Sequence, residues 1–264
     1  MKKLFSLILI IILSAGFFQS CKKDKGDPPT LPPAGSMTID FSNFTSQKKS
    51  ADQVFVYKGT ENSNWEFAAT VALFWNSIIN TTLVVPVAAF GHAIDQDPVY
   101  LDNKTWQWSY NVTIASTTYT ARLTGQIGDN DVIWKMYVSG DFTEFLWFEG
   151  SSKLDGTGGQ WILNESSTAQ GHLLQIDWTK TSGSIGTITY TYVKSNSFNG
   201  STVEYGLNSS TSAYYQVHYY NGVKFSDVDI EWNPTTHSGR VSSSDYLLGE
   251  WYCWNEQKIN ILCE

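Results

Sequence analysis

From Trp106 to the C-terminus the chain keeps a period of two. Trp106, Trp108, Tyr110, Val112 and Ile114 fall on one side of an alternation whose other side is Gln107, Ser109, Asn111 and Thr113. The same beat returns in Tyr119/Ala121/Leu123, Trp134/Met136/Val138, Leu174/Ile176/Trp178 and Ile188/Tyr190/Tyr192, and again in Val203/Tyr205/Leu207, Tyr215/Val217/Tyr219 and Val228/Ile230/Trp232. Successive strand side chains point to opposite faces, so each run predicts a strand with one apolar and one wet face. Between the runs stand Gly128-Asp129-Asn130-Asp131, Asp155-Gly156, Gly158-Gly159, Asn199-Gly200 and Asn221-Gly222. Asn-Gly between alternating runs is the strongest short hairpin cue, because tight turns need positive φ. The pattern predicts an antiparallel meander of about ten strands.

Upstream the period changes. Met37, Ile39 and Phe41 alternate with Thr38, Asp40 and Ser42, which predicts one more strand. Ser63-Asn64-Trp65-Glu66 then has capping-box spacing, with Ser at N-cap and Glu at N3. Behind it, a helix at about 64–85 is apolar on nearly every side: Trp65, Phe67, Val71, Leu73, Phe74, Trp75, Ile78, Ile79, Leu83, Val84 and Val85. Pro86 breaks or kinks it, and Val87 to Ala93 add a short second helix. A helix apolar all round must be enclosed by protein or lipid. Asn76, Ser77, Asn80, Thr81 and Thr82 make a membrane span expensive. Enclosure by the later strands is therefore expected. The fold class is mainly β (α+β), a large antiparallel meander closed as a barrel or half-barrel around one apolar helix.

The first twenty residues have a different organisation. Lys2 and Lys3 precede an apolar run from Leu4 to Leu13, and Ser14, Ala15 and Gly16 loosen the segment before Phe18-Gln19-Ser20-Cys21. That order of charge, apolar stretch and small residues is an export signal. Its apolar part is too short for a permanent span, which needs about 20 residues. Residues 22–36 carry Pro28, Pro29, Pro32 and Pro33 with Gly26 and Gly35. Such a stretch reads as an extended spacer of up to ~45 Å at about 3.1 Å per residue. The chain divides into a signal peptide (1–20), a lipidated Cys with its tether (21–36) and a single β domain (37–264).

The junction at residues 18–21 resembles the lipobox of bacterial lipoproteins. Ser20 and Cys21 fit that family's last two positions, while Phe18 and Gln19 depart from its usual Leu and small residue. The resemblance implies cleavage before Cys21, acylation of that residue and attachment to a membrane. Lys22 follows the Cys rather than Asp, so the outer membrane is the expected location. With Cys21 acylated, Cys253 and Cys263 remain as a pair ten residues apart, expected to form a disulfide across two short strands around a turn near Glu256 to Lys258. Two buried thiols are the alternative. The order of elements, a helix under a curved sheet, also resembles the periplasmic lipoprotein carriers, whose half-barrels hold a lipid beneath a helical lid; no shared motif accompanies that likeness.

Charge narrows the partners. Loss of Lys2 and Lys3 with the signal takes the net charge from −8 to −10, and no Lys/Arg cluster lies in the β domain. Nucleic acid is not an expected partner. The candidate chemistry is sparse. His92, His172, His218 and His237 have no ligand spacing, and no nucleophile elbow, phosphate loop or zinc pair occurs. Asp95, Asp97, Asp102 and Asp129-Asn130-Asp131 offer hard oxygens but are also ordinary turn residues. Asp227, Asp229 and Glu231 share the wet face of one strand and read as a solvated row. No catalytic residue, metal site or cofactor is expected.

Aromatic residues make up 15% of the chain, and most sit on the apolar side of the alternation, where they fill a core. Trp147, Tyr214, Tyr220 and Trp254 fall outside the inward set of their strands. Outward rings of this kind can stack on sugars. The sequence therefore predicts a non-catalytic envelope lipoprotein binding an apolar or lipid ligand between sheet and helix. The alternatives are a glycan-binding surface and a structural subunit of an envelope complex.

Overall fold

The computed structural model describes residues 25–44, 61–169, 171–181 and 184–263. The export signal and Cys21 lie outside the described residues. Fourteen strands form one sheet in sequence order, each antiparallel to the next. They are β1 (Val99–Tyr100), β2 (Thr105–Ile114), β3 (Thr117–Ile127), β4 (Asp131–Ser139), β5 (Phe145–Lys153), β6 (Gly158–Asn164) and β7 (His172–Thr181). The second half comprises β8 (Ser184–Tyr192), β9 (Thr202–Ser209), β10 (Ser212–Tyr220), β11 (Phe225–Trp232), β12 (Gly239–Ser243), β13 (Tyr252–Trp254) and β14 (Asn260–Ile261). β1 and β14 do not pair, so the expected meander is an open half-barrel rather than a closed barrel.

The strand count exceeds ten because β5 and β6 hide their period and because β1, β12, β13 and β14 are only two to five residues long. At β5 the ladder shifts between Met136 and Tyr137, so Phe145-Leu146-Trp147-Phe148 reads as a continuous apolar run. Gly158-Gly159 is not a turn but the start of β6. The reason is a repeated packing device. Gly125, Gly150, Gly159 and Gly239 are the direct cross-strand partners of Trp134, Trp161, Trp178 and Trp254. Each indole lies where the glycine's Cβ would be, within 2.5 to 2.9 Å of that position. A ring laid flat over a neighbouring strand fills the inner face while the sheet curves tightly. The β2–β3 turn is the converse case: Ala115 and Ser116 both take positive φ, 47° and 73°, without any glycine to announce them. At Asn221-Gly222 only the glycine is left-handed, with the Asn221 side chain accepting from the Val223 and Lys224 amides.

Two helices, α1 (Ser63–Thr82) and α2 (Val84–Ala93), fill the trough. They meet at Leu83 with a bend of 69°. Pro86 falls in the first turn of α2, where no intrahelical donor is lost. No single described helix is long and apolar enough to cross a membrane. α1 packs on β12, β13 and β14, and α2 on β2 and β3, so the pair spans the two ends of the sheet. Trp65, Val71, Trp75 and Ile79 are buried, but Phe67, Leu73, Phe74 and Ile78 are only half-covered. The sheet thus encloses α1 on one side, not on all.

The capping box does not form. Asn62 is the N-cap and gives no side-chain cap bond. The Asn64 amide donates instead to Asn260 Oδ1 (3.1 Å), 196 residues away. Neither does residues 37–41 form a strand. Two short 3₁₀ turns, Ala34–Met37 and Ser42–Phe44, bracket an extended strap across the inner face. Met37, Ile39, Phe41 and Phe44 are all buried there. With no neighbouring ladder, tyrosine hydroxyls meet the strap's backbone. Ile39 N donates to Tyr190 Oη (3.0 Å), Tyr190 Oη donates to Met37 O (2.7 Å), and Tyr215 Oη donates to Asp40 O. Burial holds both tyrosines in the neutral form that can donate.

Packing also reaches into the Pro-rich stretch. Pro29, Pro32 and Ser36 are buried, and Trp161 Nε1 donates to Ser36 Oγ (3.1 Å). The stretch expected to be a free spacer is thus packed against the domain from Pro29 onward.

Candidate functional site

Because the inner face is filled by the chain's own residues, open polar surface is concentrated outside. Cross-strand partners line up there in one row: Gln160, Asp177, Thr189, Glu204, Gln216, Asp229 and Ser242. Three grooves of the described surface are relevant here. One of 610 Å³ crosses β4–β8 over the bare backbone of Gly158 and is walled by Lys153, Gln160, Asp177 and Thr189. One of 330 Å³ lies against the C-terminal hairpin, between Arg240 and Leu262. The third, 380 Å³, is lined by Asn208, Tyr214, Gln216, Asp229, Glu231 and Trp251, and it alone of the three combines outward rings with carboxylates and amides.

Its rings are held in place. Tyr214 is the cross-strand partner of Gly206, and its phenol atoms lie 2.5 to 2.7 Å from where that glycine's Cβ would be. Any side chain at 206 would lift the ring; glycine lets it lie flat on the strand with one face outward. Its hydroxyl donates to Glu204 Oε1 (2.8 Å), whose other oxygen accepts from Thr189 Oγ1 (3.1 Å). Burial, then the Glu204 carboxylate, pushes the Tyr214 hydroxyl up to about 12, so it remains a donor at any physiological pH. On the other wall, Arg240 stacks 4.3 Å from the Trp251 ring centroid and donates to Glu231 through Nε (2.9 Å) and Nη2 (2.6 Å). The guanidinium fixes both the ring and the carboxylate.

The floor is less committed. Gln216 and Asp229 face each other across β10 and β11, and neither side chain has a hydrogen-bond or ion-pair partner among the described residues. Asp229's carboxyl is raised above its ordinary value by partial burial first, then by Asp227 and Glu231. A carboxyl raised by folding binds more protons in the folded state, so stability falls as pH rises from its unfolded value through its folded one. Above that interval the ionised group is a standing strain on the sheet.

The three carboxylates of β11 do project outward as a row, but they are not equivalent. Asp227 pairs with His218 Nδ1 (2.7 Å), Glu231 pairs with Arg240, and Asp229 has no such partner among the described residues. The four outward aromatics separate further. Trp254 is an inward core residue, 1% exposed, with Nε1 donating to His237 O (2.7 Å). Trp147, at the β5 irregularity, packs between Phe142 and Phe145. Tyr220 packs against Phe198 and Phe225. Only Tyr214 reaches the groove, joined by Trp251, which sits outside any alternating run and carries no sequence signal of its own.

Cys253 and Cys263 form a disulfide with Cα atoms 5.2 Å apart. The bond is diagonal rather than directly cross-strand, since Cys253 is in register with Ile261. The histidines are not brought together, and no three His, Cys, Asp or Glu side chains converge on a metal-sized site among the described residues. No protein-family model, curated protein or solved structure matches the chain.

Proposed function

We propose that the chain is a lipid-anchored protein of the bacterial outer membrane that binds a glycan on the outer face of its sheet, without catalysing a reaction on it. The observation that carries this reading is the flat outward face of Tyr214 across a polar floor from Trp251. Sugar rings present axial C–H faces to aromatic planes and hydroxyls to amides and carboxylates, so a mixed groove of this kind suits them.

The inner face suits an apolar ligand less well. Displacing the strap would return Met37, Ile39, Phe41 and Phe44 to water. At ~1.5–3 kcal/mol each, that costs about 6–12 kcal/mol, the scale of a whole domain's stability. A ligand would have to replace all of it.

Retention of the mature protein on polysaccharide gels tests the reading. Trp251→Ala and Tyr214→Ala are each expected to weaken binding about tenfold, the equivalent of ~1.4 kcal/mol. Trp147→Ala, remote from the groove, serves as the control. Retention that ignores both groove substitutions removes the proposal. The anchor is tested separately: Cys21→Ser is expected to abolish incorporation of a palmitate analogue and release the protein from membranes. Continued labelling would place the acyl chain elsewhere.

A further inference from the structure

We propose, building on the glycan reading, that the groove prefers an amine-bearing sugar chain to a neutral one and refuses a uronate chain. Asp229 and Glu231 line the groove directly. Asp227 lies two residues away on the same strand, and Glu204 holds the Tyr214 hydroxyl from the neighbouring side. Facing Asp229 from β10 are Tyr214, Gln216 and His218, and from β12 come Arg240 and Ser242. The fixed cation in this set is already used, since Arg240 sits on Glu231, and His218 is hydrogen-bonded to Asp227.

Among the described residues Asp229 is therefore the one carboxyl of the row without a counter-charge, and the Gln216 amide stands opposite it. An ammonium seated there would offset the carboxylates of Asp227 and Glu231 that flank Asp229 on the same strand, and would lie against the Tyr214 ring as well. A uronate's carboxylate in the same place would add a like charge to the row. The protein's overall acidity pushes in the same direction at longer range.

Three hexamers with comparable backbones separate the outcomes: glucosamine, N-acetylglucosamine and galacturonate, compared by calorimetry on the mature protein at about pH 6 and low salt. The glucosamine hexamer is expected to bind about five- to tenfold more tightly than its N-acetylated counterpart, with galacturonate the weakest. Asp229→Asn should erase that gap, and salt should narrow it in the unsubstituted protein. The same variant should unfold at higher denaturant at neutral pH, since it removes the unpaired charge. Equal binding of the three, or galacturonate binding tightest, overturns the charge preference but leaves a glycan site standing. Binding of none of them, with no retention on neutral polysaccharide gels, overturns both.

Discussion

Replacing Phe44 by Ala is expected to cost the protein about 3–5 kcal/mol, the range for removing a fully buried aromatic ring. Phe44 is 1% exposed and belongs to the strap, not to a helix or strand of the main architecture. Its ring stands edge-on to Trp232 at 5.1 Å and to Trp254 at 6.4 Å, and leans on Tyr215 at 5.7 Å. These rings come from β10, β11 and β13, so the cavity left by Ala would open where three strands converge on the strap. Large rigid rings cannot collapse into such a space without leaving their rotamers. Urea unfolding gives the number, read as a fall in midpoint at unchanged slope. The result also discriminates between two accounts of the strap. If it were a lid resting over a ligand cavity, truncating one of its rings would cost little. A loss below about 1 kcal/mol would therefore revive the cavity, and with it the apolar-ligand reading.

Strands with unbroken alternation, β2, β3, β4, β7, β8, β10 and β11, were legible because one buried face imposes a period of two. Where the backbone departs from that period, the signal fails. The irregularity beside Trp147 places four apolar residues in succession, and the glycine under Trp178 looks like part of a turn until the partner ring is known. The strap shows a different limit. Met37-Thr38-Ile39-Asp40-Phe41 alternates as a strand does, yet its hydrogen bonds go to the side chains of Tyr190 and Tyr215, about 150 and 175 residues away. Alternation reports which side is buried, not what satisfies the backbone. The site has the same difficulty in sharper form. Asp227, Asp229 and Glu231 were visible as a row, but only the register with β10 and β12 separates the two paired carboxylates from the free one. Trp251 enters the groove from a loop, where no periodic pattern assigns a direction.

The C-terminal hairpin ties these long-range contacts to a covalent bond, and the double substitution Cys253→Ser/Cys263→Ser tests what that bond holds. The closed loop is short, with a sequence separation of 10, so loss of the crosslink is expected to cost about 2–3 kcal/mol. Its effect should not be confined to the hairpin. Asn260, on β14, accepts from the Asn64 amide, donates through Nδ2 to Ser63 Oγ (3.0 Å) and donates its own amide to Glu61 O (2.7 Å). From β13, the Cys253 carbonyl accepts from Asn64 Nδ2 (2.8 Å), while Tyr246 Oη donates to Asn64 Oδ1 (2.7 Å). The first turn of α1 thus takes its cap from the two strands that the disulfide joins, in place of the capping box that the local sequence offers. A helix start with its amides uncapped frays first. Amide hydrogen exchange over residues 63–66 should accelerate about tenfold in the double variant while β6 to β8 keep their protection. Asn260→Ala, with the disulfide intact, should reproduce the fraying at the cost of a single cap, about 1 kcal/mol. Exchange that quickens in the hairpin but not at the start of α1 would show that the helix holds its end without help from the C-terminus.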